Sequence, residues 1–306
     1  MGNDNAADDV YDTKLQVVGL FLIIAVSFLG MCVAFGFRRL GSAGGCRIAS
    51  MVFLKGLGIG VIVCTACIHL INEAFEDFED AGWSEDYESW PFVFALIGVL
   101  LSAMFEFYSE RTTLEDKGSV TLADLEDLQK VGHHDSDDTI SAHSSSKITH
   151  KTAMIVEAGI LCHSILIGFD LGLNTKTQWR TLVVAVCFHQ FFEGLALAQV
   201  ILEAELPTRK VVYMTLFYSF TTAIGVAIGI ATHTAAGTEG TSLKLFIGIL
   251  NSFCGGVILY IGMISLFVPW FLRNKQLQLA SKRVSLLGFF GIALGFAAMA
   301  IIGIWA

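Results

Sequence analysis

The sequence predicts an all-α polytopic membrane protein with eight transmembrane helices, and three observations carry the prediction. Of 306 residues, 54% are hydrophobic and only 15% charged, where soluble domains carry roughly 25% charged residues. Apolar runs of about 20 residues, long enough to cross a bilayer, recur from Leu15 nearly to the last residue. With the amino terminus placed outside, fifteen of the nineteen lysines and arginines fall on the inner side, the asymmetry expected of a correct topology.

The spans follow in order. The first, 14 to 37, comes after an acidic start containing Asp4, Asp8, Asp9 and Asp12; a cleaved signal would begin with basic residues, so this run is expected to stay as a true span. The next are 52 to 73 and 91 to 110, which close a first section, residues 1–110. Residues 111–150 are rich in Ser, Asp and His, with Ser144, Ser145 and Ser146 in a row. Such a segment cannot bury enough apolar surface to fold, and it is expected to be a disordered cytoplasmic loop. The last section, 151–306, holds spans at 152 to 173, 179 to 202, 211 to 233, 245 to 271 and 284 to 305. Both termini then lie outside, and an acidic outer face favours the plasma membrane, with the lumen of an acidic organelle topologically equivalent.

Composition narrows the partners. The net charge is −9, and Glu76, Asp77, Glu79, Asp80, Glu85, Asp86 and Glu88 follow the second span without a lysine or arginine among them. That run is either a solvated turn or a vestibule that concentrates cations; neither suits nucleic acid. Of the seven cysteines, six sit inside apolar runs, where a disulfide framework makes little sense. Cys64 and Cys67 form a CxxC without the second pair of a zinc ribbon, which reads as packing. In the loop, His133, His134, His143 and His150 either hold metal loosely, in a sensing role, or are merely solvated.

Spans one, six, seven and eight carry almost no ionisable groups, and pairs such as Gly225 with Gly229, or Gly288, Gly291 and Gly295, suit close helix packing. Spans two to five differ. They hold His69 and Glu73, then Glu106, then Glu157, His163 and Asp170, then His189 and Glu193. A charge at mid-membrane costs about 2.5 to 3.5 kcal/mol, so several in neighbouring spans need partners, and function is the default expectation. In the fourth span Asp170 follows His163 by two helical turns, on the same face; in the fifth Glu193 follows His189 by one turn. Both read His, four residues, Gly. Two spans joined by a short loop run antiparallel, so these faces are expected to meet at one depth, with Gly168 and Gly194 allowing close approach. Imidazole with carboxylate suits zinc or ferrous iron, whereas calcium and magnesium prefer all-oxygen cages and copper(I) prefers sulfur. His69, Glu73 and Glu76, spaced by about one turn at the outer end of the second span, are expected to hand metal inward, or to be interfacial end residues. A different class stays open: a membrane-embedded zinc hydrolase with a metal-bound water, His163, His189 and Asp170 as ligands and Glu193 as base, although the zincin pattern His-Glu-x-x-His is absent.

These residues resemble the ZIP (Zrt/Irt-like) family of zinc and iron transporters, in the branch typified by plant and fungal uptake proteins, over nearly the whole chain. The resemblance rests on His163, Ser164, Ile167, Gly168, Leu171 and Gly172 in the fourth span and His189, Gln190, Phe192, Glu193 and Gly194 in the fifth. Weaker likeness lies in Thr221, Thr222 and Gly225, and in Leu250, Asn251, Gly256 and Tyr260. It implies metal positions between helices two, four and five, with His163, His189, Glu193 and the neighbouring Ser164 hydroxyl and Gln190 amide as ligands. It further implies alternating access, transport toward the cytosol and often a homodimer. The metal is cargo rather than a cofactor. Ile167 stands where other branches carry a bridging carboxylate, and Asp170 is unusual and could supply that charge.

Overall fold

The computed structural model describes residues 11–40, 45–116, 150–174, 176–236 and 240–304. Among them every regular element is a helix, and eight are long and apolar enough to cross a membrane. These spans are numbered here in chain order: Thr13–Phe37, Ile48–Asp80, Trp90–Ser109, Ala153–Leu173, Trp179–Glu203, Thr208–Thr234, Thr241–Leu272 and Lys282–Ile302. The eight-helix expectation therefore holds, with two differences at the edges.

Span 2 does not stop at residue 73. Its helix continues through Asp80 by way of a π-helical stretch, Thr65–Ile71. The π turn carries the chain past the end of the apolar run, so Glu73, Glu76, Asp77, Glu79 and Asp80 stand on helix rather than in a loop. The helix of span 3 likewise runs on to Asp116, which makes the first residues of the expected disordered loop helical. His133, His134 and His143 lie outside the described residues, and of His150 only the backbone, the first residue of a helix, is described.

Glycine decides which spans pair. Span 4 packs chiefly on span 6, span 1 on span 5, span 2 on span 8 and span 3 on span 7. A Cβ on Gly168 would fall on the carbonyl oxygen of Thr222, and one on Gly225 on that of Ile165, so the backbones of spans 4 and 6 already touch. Gly56 and Gly60 meet Gly288 and Ile292 of span 8 in the same way, and Gly256 meets Ala95 of span 3. Gly194 lies against span 1, where a Cβ would stand 3.1 Å from the Ser27 carbonyl oxygen. The two signature glycines thus draw spans 4 and 5 toward other partners, contrary to the expectation that they draw the two spans together.

Two sets of four helices result. Spans 1 and 6 join the first set, spans 1, 4, 5 and 6; spans 2 and 7 join the second, spans 2, 3, 7 and 8. The sets meet where span 5 touches span 2 and span 4 touches span 7. At one end of that seam Lys55 of span 2 pairs with Glu203 of span 5 at 2.7 Å, with its ammonium 4.9 Å from the centre of the Trp270 ring of span 7.

Candidate metal centre

The signature residues meet in the seam. His163 on span 4 and His189 and Glu193 on span 5 are 1%, 1% and 2% exposed. His163 Nε2 lies 3.0 Å from His189 Nε2, His189 Nε2 lies 3.3 Å from Glu193 Oε1, and His163 Nε2 lies 3.8 Å from the same oxygen. Spans 4 and 5 touch only lightly elsewhere, so the side chains bridge a gap that the backbones leave open. Span 5 is held at this level by Tyr218, whose hydroxyl donates 2.6 Å to the Gln190 carbonyl oxygen.

These distances have the scale of a coordination polyhedron. Bonds of about 2.0–2.1 Å from a tetrahedral zinc to imidazole nitrogen or carboxylate oxygen place neighbouring donors about 3.3 Å apart. The three observed separations fall on both sides of that value. The Nδ1 atoms of both histidines and Glu193 Oε2 have no hydrogen-bond partner among the described residues, nor have the Ser164 hydroxyl or either amide atom of Gln190. Six buried polar atoms without partners are costly in an empty apolar interior. A hydrated cation would satisfy them.

His69 is not at the outer end of its span. It is 4% exposed and presents its ring edge-on to His189 with centroids 4.9 Å apart. Its Nε2 lies 3.0 Å from the Met299 carbonyl oxygen of span 8. A carbonyl only accepts, so Nε2 carries the proton, and Nδ1 of the neutral ring keeps a lone pair for a metal.

Asp170 does not join the cluster. Two helical turns do place it on the His163 face, but they also carry it about 10 Å along the axis. There it is exposed, takes a 3.0 Å hydrogen bond from the Asn174 amide and lines a cavity of about 40 Å³ with Glu73, Asp77, Lys244 and Asn251. Asn251 donates to Asp77 at 3.3 Å, and Lys244 pairs with Asp80 at 2.8 Å. The cavity has room for one or two waters or a partly hydrated ion. Glu76 is exposed and lies outside this lining. Asp77 takes its place, one turn beyond Glu73, and that spacing becomes visible once the helix is known to run to Asp80. Lys244 and Asn251 arrive from span 7, which no local pattern around span 2 announces.

Eight spans around a buried pair of histidines and a carboxylate define a membrane protein that handles a cation within the bilayer. The chain matches the family described as ZIP Zinc transporter over residues 13–303, and it belongs to that family. It is 27% identical to Zinc transporter 6, chloroplastic, of Arabidopsis thaliana, across 96% of this chain and 93% of that protein. It is 30% identical to Zinc-regulated transporter 1 of Candida albicans, across 97% of this chain and 62% of that one. It is 26% identical to Fe(2+) transport protein 1 of Oryza sativa subsp. japonica, across 99% and 87%. The function class is metal ion transport across a membrane, and the hydrolase alternative falls away, because members of the family are transporters rather than enzymes.

Proposed function

We propose that the chain carries Zn2+ or Fe2+ into the cytoplasm by alternating access, binding the ion at His163, His189 and Glu193. The observation that carries this reading is the near-tetrahedral spacing of those three donors in a buried seam between two helix sets. His69 completes the coordination through Nδ1, while Ser164 and Gln190 hold the waters that the ion keeps. Zinc and ferrous iron are both served by imidazole with carboxylate, and the relatives named for zinc and for Fe2+ support the pair of ions.

Glu73, Asp77 and Asp170 form the approach. Spans 2 and 4 end, and span 7 begins, at the end of the bundle that bears these acids, which the charge asymmetry assigns to the outside. A cation drawn there moves along the span 2 face past Glu73 to His69 and the cluster. Alternation follows from the packing: spans 1, 4, 5 and 6 shift as a body against spans 2, 3, 7 and 8, and the Lys55–Glu203 pair parts when the inner end opens. Residence in the plasma membrane and assembly as a homodimer accompany this reading, the first from the acidic outer face and the second from the family resemblance.

Purified protein in proteoliposomes, loaded with a fluorescent metal indicator, tests the function directly. Saturable entry of Zn2+ or Fe2+ that disappears in His163→Ala and Glu193→Ala is the expected result. Undiminished entry in both variants would remove it, and flux that never saturates would replace the carrier with a pore. Competition between 65Zn and 55Fe then sets the preferred ion.

A further inference from the structure

Glu157 is a membrane carboxylate that the metal path does not use. It lies four residues into span 4, about 6 Å along the axis from Ala153, and six residues short of His163. It is 8% exposed, and its Oε1 has no hydrogen-bond partner among the described residues. The side chain opens into a groove of about 420 Å³ between spans 4 and 6, otherwise lined by Tyr213, Met214, Leu216, Phe217 and Phe220. Among the described lining residues there is no lysine, arginine or histidine. Tyr213 is 72% and Phe217 58% exposed, so the groove lies on the outer, bilayer-facing surface of the bundle.

A carboxylate at this depth, facing lipid with no cation beside it, lacks the partner that intramembrane acids normally have. We propose that the groove binds a phospholipid with a primary-ammonium headgroup, of the phosphatidylethanolamine class, whose ammonium donates to Glu157. The groove is near the start of both spans, at the boundary of headgroup and acyl chain, where aromatic residues such as Tyr213 concentrate. Arg209 and Lys210, exposed in the first turn of span 6, stand about one turn before Tyr213 and are placed for the phosphate. Leu216, Phe217 and Phe220 run from there along the acyl chain. Phosphatidylcholine lacks the N–H donors, and phosphatidylserine and phosphatidylglycerol bring net negative charge toward a carboxylate. The inference uses only the membrane placement of spans 4 and 6 and is independent of the transported ion.

The test is native mass spectrometry of the full-length protein in mixed micelles holding equal amounts of phosphatidylethanolamine, phosphatidylcholine and phosphatidylglycerol. Wild-type protein should retain phosphatidylethanolamine about fivefold over the other two, the scale of one charge-assisted hydrogen bond. Glu157→Gln should bring the three to parity without changing the thermal unfolding midpoint. A second measurement needs no variant: with wild-type protein, stepwise N-methylation of the headgroup should lower retention with each methyl. Equal retention of all headgroups by wild-type protein overturns the proposal, as does an unchanged preference in Glu157→Gln. Loss of a dimer mass in Glu157→Gln with no lipid preference overturns it too, and gives the groove to a second copy of the chain.

Discussion

His163 and His189 face each other Nε2 to Nε2 across 3.0 Å, although the spans that carry them pack mainly on spans 6 and 1. At that separation the two nitrogens either share a proton, one donating and the other accepting, or share a metal ion that replaces it. The contact is therefore a seat for a cation whose alternative occupant is a single proton.

Replacing either histidine or Glu193 by alanine removes one of three donors that no nearby group can supply. Uptake should fall by about 10- to 100-fold or more, the range seen when the support of a metal site is damaged. Radioactive zinc uptake, normalised to protein at the membrane by surface biotinylation, measures it. Retention of more than half the wild-type rate in His163→Ala would exclude that histidine from the path.

The outer cavity makes a different prediction, because its acids attract rather than hold. Asp170→Asn and Glu73→Gln should raise the half-saturating metal concentration about two- to fivefold and leave the maximal rate unchanged, as expected for partly screened charges. The effect should shrink as ionic strength rises toward 0.15 M, where the Debye length is about 8 Å. Uptake titrations at two salt concentrations check both statements.

Packing along the glycine seams can be tested without reference to transport. Gly168→Ala sets a Cβ on the Thr222 carbonyl oxygen and should destabilise the protein by about 1–3 kcal/mol, lowering the unfolding midpoint in detergent by several degrees. Gly36→Ala is the control, since a Cβ there meets nothing within 4 Å. Equal midpoints for both variants would contradict the seam.

The Lys55–Glu203 pair ties span 2 to span 5 at the inner end. Its side chains are 20% and 29% exposed, so its static contribution is small, yet it must part when the helix sets move. Lys55→Met should favour the inward-open form and raise the labelling rate of a cysteine placed at Ala196 by a reagent applied from the cytoplasmic side. Glu203→Gln should do the same, and the double variant should add nothing further.

Much of this was legible in the residues. Span number, the two histidines and Glu193 followed from apolar length and from ionisable groups that a bilayer does not tolerate idly. Asp170 shows where the pattern ran out: sharing a face with His163 fixed its azimuth but not its depth, and 10 Å of helix separates a ligand from a vestibule acid. His69 shows the converse, since hydropathy placed it at a span end that a π turn moved outward by two turns. The partners of Gly168 and Gly194 were hidden for a related reason. A glycine announces close approach, and nothing in its own span says to which neighbour.

The stretch Thr65–Ile71 has one more consequence. A π turn holds an extra residue in the rise of an α turn, and His69 lies inside it with Glu73 and Asp77 just beyond. Deleting any one residue from 65–71 would leave an apolar span of nearly the same length and the same acids in the same order. It would also turn everything after it by about 100°, carrying Glu73 and Asp77 out of Asp170's sight. Span 2 is thus forgiving about which apolar side chains it contains and strict about their number: its function is encoded in phase, and a one-residue gap here would damage the protein more than many substitutions.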